Sequence, residues 1–350
     1  MKKVLILYTE LAGYTVACLQ HFCKTHPGIQ VHLVRWPVNA EAPFDFSFGD
    51  SLTVYDRNNF DDDGLKNLAK KIEPSLILCS GWIDKAYVNV CKEWKDKINV
   101  TLVMDNKWMG SIKQQLLSLT SSFSVKKWFN TAWVTGESQK KFALKMGFPE
   151  NKINTGFYSA DVDFFRNIYE NNKESKAKNF PHRFIYAGRY YDFKGVEELW
   201  EGFIRFTEKN KTGWELWCLG TGDVQPRIHP AIKHLGFVQP SEMEEIMKQC
   251  GVFILPSRIE PWGVVVHEFA AAGFPLLLSN EVGAAAAFLD EGKNGFSFTP
   301  GSSETIADVL QKAACTDTQL GEMGKISAEN ALAITPAKWS ATLFGLIHSR

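Results

Sequence analysis

The sequence predicts an α/β protein of two doubly wound domains facing each other across a cleft. Three observations predict it. The chain has 350 residues, more than one domain normally holds. Short, almost continuously apolar runs alternate with helical patterns in both halves, as parallel strands covered on both faces require. A polar stretch at residues 166–181, with few apolar residues and no clear period, separates the two series and reads as a linker.

In the first series, Val4–Tyr8, Ile29–Val34, Leu76–Cys79, Val100–Met104 and Thr131–Val134 read as strands. Tyr14–Thr25, Asp62–Ile72, Lys85–Trp94 and Ser138–Met146 read as the helices between them, the last stopping at Gly147-Phe-Pro149. In the second series, strands fall at Arg183–Ala187, Glu215–Leu219, Val252–Leu255 and Pro275–Ser279. The helices are Val196–Thr207, Ser241–Gln249 and Val264–Ala272. The expected domains are thus 1–165 and 182–335, with a last helix, 336–350, packing back on the first.

Composition narrows the function. A formal net charge of zero argues against a dedicated nucleic-acid binder. Residues 1–165 carry 20 Lys and Arg against 17 Asp and Glu, a small hint that the first half meets something anionic. The seven cysteines are scattered within apolar runs without metal-ligand spacing, so reduced thiols and a cytoplasmic location are expected. The start, Met1 to Tyr8, has a signal peptide's charge but only a short apolar run and no cleavage site, and reads as a buried strand. No stretch approaches the roughly 20 apolar residues of a membrane span.

The segment from Leu255 to Pro275 carries the chemistry. It runs strand, loop, helix and Gly-x-Pro, with Glu260 in the loop and Glu268 in the helix, seven residues between them. The helix start near Gly263, Val264 and Val265 offers unpaired N–H groups and a positive dipole end, suited to a diphosphate. Gly263 lets the backbone approach that ligand. Two carboxylates around an anion site should grip hydroxyl groups, as on a sugar or ribose.

These residues resemble glycosyltransferase family 4. Glu260-x7-Glu268 and Ala-Gly273-x-Pro275 are joined, in order, by Gly188-Arg189-x4-Lys194-Gly195, Leu219-Gly-Thr-Gly222, Leu235-Gly236-Phe237-Val238 and Asn294-Gly295. Gly147-Phe-Pro and Thr155-Gly156-Phe resemble the end of its first domain, so the likeness spans most of residues 130–310. It implies the GT-B fold of two Rossmann-like domains, retaining hexosyl transfer from a nucleotide diphosphate sugar, and no metal or other cofactor. Arg189 and Lys194 would clamp the diphosphate, Glu260 would hold hydroxyls of the transferred sugar, and Glu268 those of the ribose. Gly263, Val264 and Val265 would give backbone N–H groups, with Gly188 and Gly13 lining the donor; Val238 and Arg258 are placed near the base. The acceptor implied is a glycan or lipid-linked intermediate in cell-surface polysaccharide synthesis.

The chain departs from the family where the acceptor is handled. The loop after the first strand keeps only Gly13, and the usual His-Asp reads Met104-Asp105, leaving Asp105 as a candidate for the sugar or acceptor hydroxyl. After Gly283 the family's Gly-x-x-Glu becomes four alanines. A nucleotide-sugar epimerase or hydrolase, or a non-catalytic glycan-binding paralogue, are the alternatives.

Other features have plainer readings. Asp61-Asp-Asp63 is a helix-start cluster, not a metal site, and His267 is as suited to packing as to function. Trp82 and Trp108 are core or loop aromatics that could instead stack on an acceptor sugar. Residues 112–129 read either as a surface helix touching anionic lipid, giving peripheral membrane contact, or as an amphipathic helix packed on the first domain. Modest local charge favours the second.

Overall fold

The computed structural model describes residues 1–39, 44, 46–49, 52–121, 125–209 and 213–349. In chain order the first elements are β1 (Lys2–Tyr8), α1 (Gly13–Thr25), β2 (Ile29–Arg35), β3 (Leu52–Asp56), α2 (Asp62–Ile72), β4 (Leu76–Ser80) and α3 (Lys85–Trp94). Next come β5 (Asn99–Met104), α4 (Ile112–Ser121), α5 (Val125–Trp128), β6 (Thr131–Val134), α6 (Glu137–Lys145) and β7 (Ile153–Asn154). The second series is α7 (Val162–Lys178), β8 (Arg183–Ala187), α8 (Val196–Lys209), β9 (Glu215–Leu219), β10 (Ile232–Gly236), α9 (Met243–Met247), β11 (Val252–Leu255) and α10 (Val264–Ala271). It closes with β12 (Leu276–Ser279), α11 (Ala285–Phe288), β13 (Gly295–Phe298), α12 (Ser303–Ala313) and α13 (Asp317–Asn330), and α14 (Pro336–His348) ends the chain.

The chain divides into two compact units, residues 1–159 with 334–350, and residues 160–333. The first is a seven-stranded parallel sheet in the order β3-β2-β1-β4-β5-β6-β7. Alternate residues of β1 explain its unbroken apolar run. Leu5 and Leu7 join one core with Leu65, Tyr87 and Phe142 from α2, α3 and α6. Val4 and Ile6 join the other with Leu19 and Phe22 of α1 and Trp339 and Leu343 of α14. The last helix is pinned as well as packed: Trp339 donates to Phe157 O at 2.7 Å, and Asn99 to Leu346 O at 3.1 Å.

The second unit is a six-stranded parallel sheet, β10-β9-β8-β11-β12-β13. Chain order reverses between β8 and β11, and the strand-end loops flanking such a switch point form the natural ligand position. In the first sheet the reversal lies between β1 and β4, where Thr9 N–H donates to Ser80 Oγ at 2.8 Å.

One expectation needs correction. The stretch 166–181 is not a linker, because α7 continues through Lys178. Asp161 caps this helix by accepting Phe164 N–H, and Val162, Phe165 and Ile168 form a buried stripe. A polar reading that begins at 166 cuts that stripe in two, leaving a narrow apolar face that looks like none. The reading of residues 112–129 falls partly on 122–124, which lie outside the described residues; α4 precedes them and α5 follows them. Val125 and Phe129 are buried, but Ile112 and Leu116 of α4 are 77% and 59% exposed. A fourfold spacing puts these two on one face of α4.

Candidate active site

The glycines at the ends of β8 and β9 let two loops lie against each other. Gly188 N–H donates to Leu219 O at 3.0 Å, and Tyr190 N–H to Thr221 O at 2.8 Å. A Cβ on Gly220 would stand 2.0 Å from Gly188 O, and its φ of +127° also demands glycine. Val238 is half-buried in the loop beyond β10, whose last residue, Gly236, accepts Gly220 N–H at 2.7 Å. Arg189 leaves this zipped edge with its guanidinium 5.1 Å from the Tyr191 ring centre.

Lys194, in the turn before α8, and Glu260, after β11, meet at the switch point. Lys194 Nζ lies 2.5 Å from Glu260 Oε2, with side chains 15% and 10% exposed. Ser257 Oγ donates to the same carboxylate oxygen at 3.3 Å, and Ser279 Oγ to Ser257 O at 2.5 Å. A pair this sheltered needs both partners, since removing one leaves an uncompensated charge that costs about 3–5 kcal/mol. Three residues on, Gly263 (φ +90°) turns the chain into α10. The next two residues, Val264 and Val265, are half-buried, and Val266 N–H already bonds Gly263 O. Their own N–H groups are first-turn donors at the positive end of the helix.

Glu268 stands one turn along α10 from Val264. Burial and then the negative charge of Asp161 push its carboxyl up to about 7. The residue keeps some solvent contact, but its acid group sits where water is scarce. It is therefore a mixed donor and acceptor near neutral pH, whereas an exposed glutamate would only accept. His267 beside it is structural. Fully buried and stacked on Phe288, it takes Ala160 N–H on Nδ1 at 3.0 Å and meets Ala331 O with Nε2 at 2.9 Å. That fixes a neutral ring donating from Nε2.

Arg258 is held by carboxylates of the turn before α8 and of α8 itself. It bonds both Asp192 carboxylate oxygens through Nη1, at 3.1 and 3.0 Å, and Glu198 through Nη2. The N–H groups of Arg258 and Ile259 both donate to Phe193 O, at 2.8 and 3.2 Å. Two carboxylates within reach draw the guanidinium into a clasp between the Pro256–Glu260 loop and the turn carrying Lys194. Sequence reading missed this clasp because Arg258 and Asp192 lie 66 residues apart in the chain.

In the first unit Gly13 opens α1 with clear space where a side chain would be. Asp105 follows β5, its carbonyl held by buried Gln139 at 3.1 Å. Its charge adds to burial in raising the Tyr8 and Tyr158 hydroxyls. Trp82 and Trp108 pack on the core, Trp108 beside Phe142 with Lys145 4.6 Å from its ring. Among the described residues, no three His, Cys, Asp or Glu side chains are grouped to hold a metal, and Asp61 and Asp161 cap helices.

Residues 181–315 match the family of glycosyl transferases group 1. An uncharacterized glycosyltransferase of Methanocaldococcus jannaschii is 28% identical over 132 residues, 35% of this chain and 33% of that protein. A glycogen synthase of Mycobacterium tuberculosis is 29% identical over 152 residues, 40% of this chain and 36% of its own. The chain thus matches about a third of the length of these curated relatives. The fold likeness covers both chains fully in the crystal structure of Anabaena HepE in complex with UDP, at TM-score 0.75 and 14% identity.

Proposed function

We propose, on the premise that residues 181–315 form a glycosyl transferases group 1 domain, that this protein is a retaining glycosyltransferase. It moves a hexose-type sugar from a nucleotide diphosphate donor to a glycan or lipid-linked acceptor, in the cytoplasm, for cell-surface polysaccharide. The observation that carries this reading is the meeting of Lys194, Glu260 and the Gly263 helix start at one switch point. Cations, a hydroxyl acceptor and free amide donors are what a diphosphate sugar requires.

In this mechanism the diphosphate settles on the first-turn N–H groups of Val264 and Val265, with Arg189 and Lys194 as its cations. Lys194 has three donors, so it can turn to the phosphate and leave Glu260 to accept sugar hydroxyls while Ser257 keeps that carboxylate aimed. As the bond from the anomeric carbon to the phosphate oxygen breaks and the acceptor oxygen bonds that carbon, the two cations stabilise the charge growing on the leaving phosphate, which takes the acceptor's proton. Glu268, near half-protonated at neutral pH, both gives and takes hydrogen bonds with the ribose diol. Positive charge from side chains and the helix end does the work of a metal. Asp105, in the first unit, orients the acceptor hydroxyl.

Thermal shift with a panel of nucleoside diphosphates and nucleotide sugars, with and without EDTA, tests this. HepE holds UDP, so uridine leads the panel. A base-selective shift that survives EDTA and vanishes in Arg189→Ala is expected. Sugar released without acceptor would mark a hydrolase, and no shift with any nucleotide a non-catalytic paralogue.

A further inference from the structure

Each of the two cations at the candidate site has an aromatic ring beneath it. The guanidinium of Arg189 lies 5.1 Å from the Tyr191 ring centre, and Lys194 Nζ lies 5.6 Å from that of Phe193. The two rings are themselves neighbours, with centres 5.5 Å apart and planes tilted by 34°. Phe193 is 37% exposed, so its ring contributes more to the cation beside it than to the core.

The backbone holds this group together. Lys194 N–H donates to Tyr191 O and Gly195 N–H to Asp192 O, both at 2.9 Å, which closes a tight turn. Phe193 O accepts the N–H groups of Arg258 and Ile259, and the Arg258 guanidinium grips the Asp192 carboxylate. With Asp192 held, the residues on either side of it have little freedom to part.

Electrostatics gives the rings a purpose. Two like charges gathered for one diphosphate repel each other before it arrives. Carboxylates could hold them, as Glu260 holds Lys194 and as Asp192 and Glu198 hold Arg258, but an incoming phosphate must then compete with a carboxylate. The negative face of a ring attracts a cation, takes up none of its N–H donors and adds no net charge to repel phosphate.

We propose that Tyr191 and Phe193 are positioning residues, a ledge of two rings that keeps Arg189 and Lys194 in reach of the donor's diphosphate. The ledge rests on the transferase reading and acts through the two cations. Lys194 turns from Glu260 to the phosphate with its ammonium still over the Phe193 ring, and Tyr191 steadies the Arg189 guanidinium on the other side.

Titration calorimetry of the full chain with UDP, GDP and ADP, each beside its own nucleoside, tests this. Phe193→Leu and Tyr191→Leu keep apolar bulk and lose the ring face. Each should weaken the diphosphate that the wild type binds roughly threefold to tenfold, and leave the matching nucleoside, which has no phosphate, at wild-type affinity. Phe193→Tyr and Tyr191→Phe keep the face and should bind the diphosphate as the wild type does. Phe193→Leu changes a partly exposed position and should melt as the wild type does, so it carries the test even where Tyr191→Leu folds poorly. Wild-type diphosphate affinity in Phe193→Leu would overturn the proposal. So would an equal loss for the nucleoside, which marks a loosened fold, or an equal loss in Phe193→Tyr. In each of those cases the wild type still binds nucleotide and the transferase reading stands. Failure of the wild type to bind any of the three diphosphates would sink that reading and the ledge together.

Discussion

Lys194 and Glu260 sit 66 residues apart in the chain and share one hydrogen bond in a sheltered place. Lys194→Ala should therefore weaken both folding and ligand binding: about 3–5 kcal/mol of stability from the stranded carboxylate, and the nucleotide shift. Glu260→Gln keeps the shape and the Ser257 contact, so it should spare nucleotide binding while slowing transfer by about a hundredfold or more. If transfer in Glu260→Gln ran at the wild-type rate, the carboxylate would have no part in the site. Glu268 gives a pH signature. Its folded pKa lies above the unfolded one, so the native state holds the extra proton between about 4.5 and 7. Stability is then greatest below that window and declines as pH rises through it, by on the order of 1–3 kcal/mol. The stability of wild type should therefore fall relative to that of Glu268→Gln as pH rises across this range, as melting curves of the two would show. Parallel curves would mean the acid titrates normally.

At the scale of elements, the Arg258 clasp and α14 make separate demands. Arg258→Ala would leave Asp192 and Glu198 facing each other without their cation and loosen the turn that carries Lys194. Nucleotide affinity should fall about tenfold, with little loss of melting temperature because the clasp is partly exposed. Titration showing wild-type affinity would leave the clasp with no bearing on the site. Trp339 of α14 is 3% exposed and also donates to Phe157 O. Its replacement by Ala should cost about 3–5 kcal/mol in denaturant unfolding, since a large cavity and an unpaired carbonyl remain together. These elements differ in legibility. The central strands of both sheets were readable because burial on two faces leaves an unbroken apolar run, as in Val4–Tyr8 and Val252–Leu255, whereas the shorter or less buried β3, β7, β10 and β13 were not. Helix α7 was not, because one stripe of Val162, Phe165 and Ile168 amid Lys, Asn and Glu resembles a linker.

For the whole molecule, the sequence alone determined two parallel α/β units and the loops that carry Arg189, Lys194, Glu260 and Gly263. Strand periodicity and glycine-marked strand ends are local properties, so a linear reading captures them. Only the tertiary structure decided what those groups meet. It paired Lys194 with Glu260, turned Arg258 towards Asp192 and Glu198, and set Asp161 near Glu268 so that a glutamate stays half-protonated. It also joined residues 334–350 to the first unit. The reason is common to all of these. Each depends on distance and desolvation between segments far apart in the chain, and neither quantity exists until the sheets have formed.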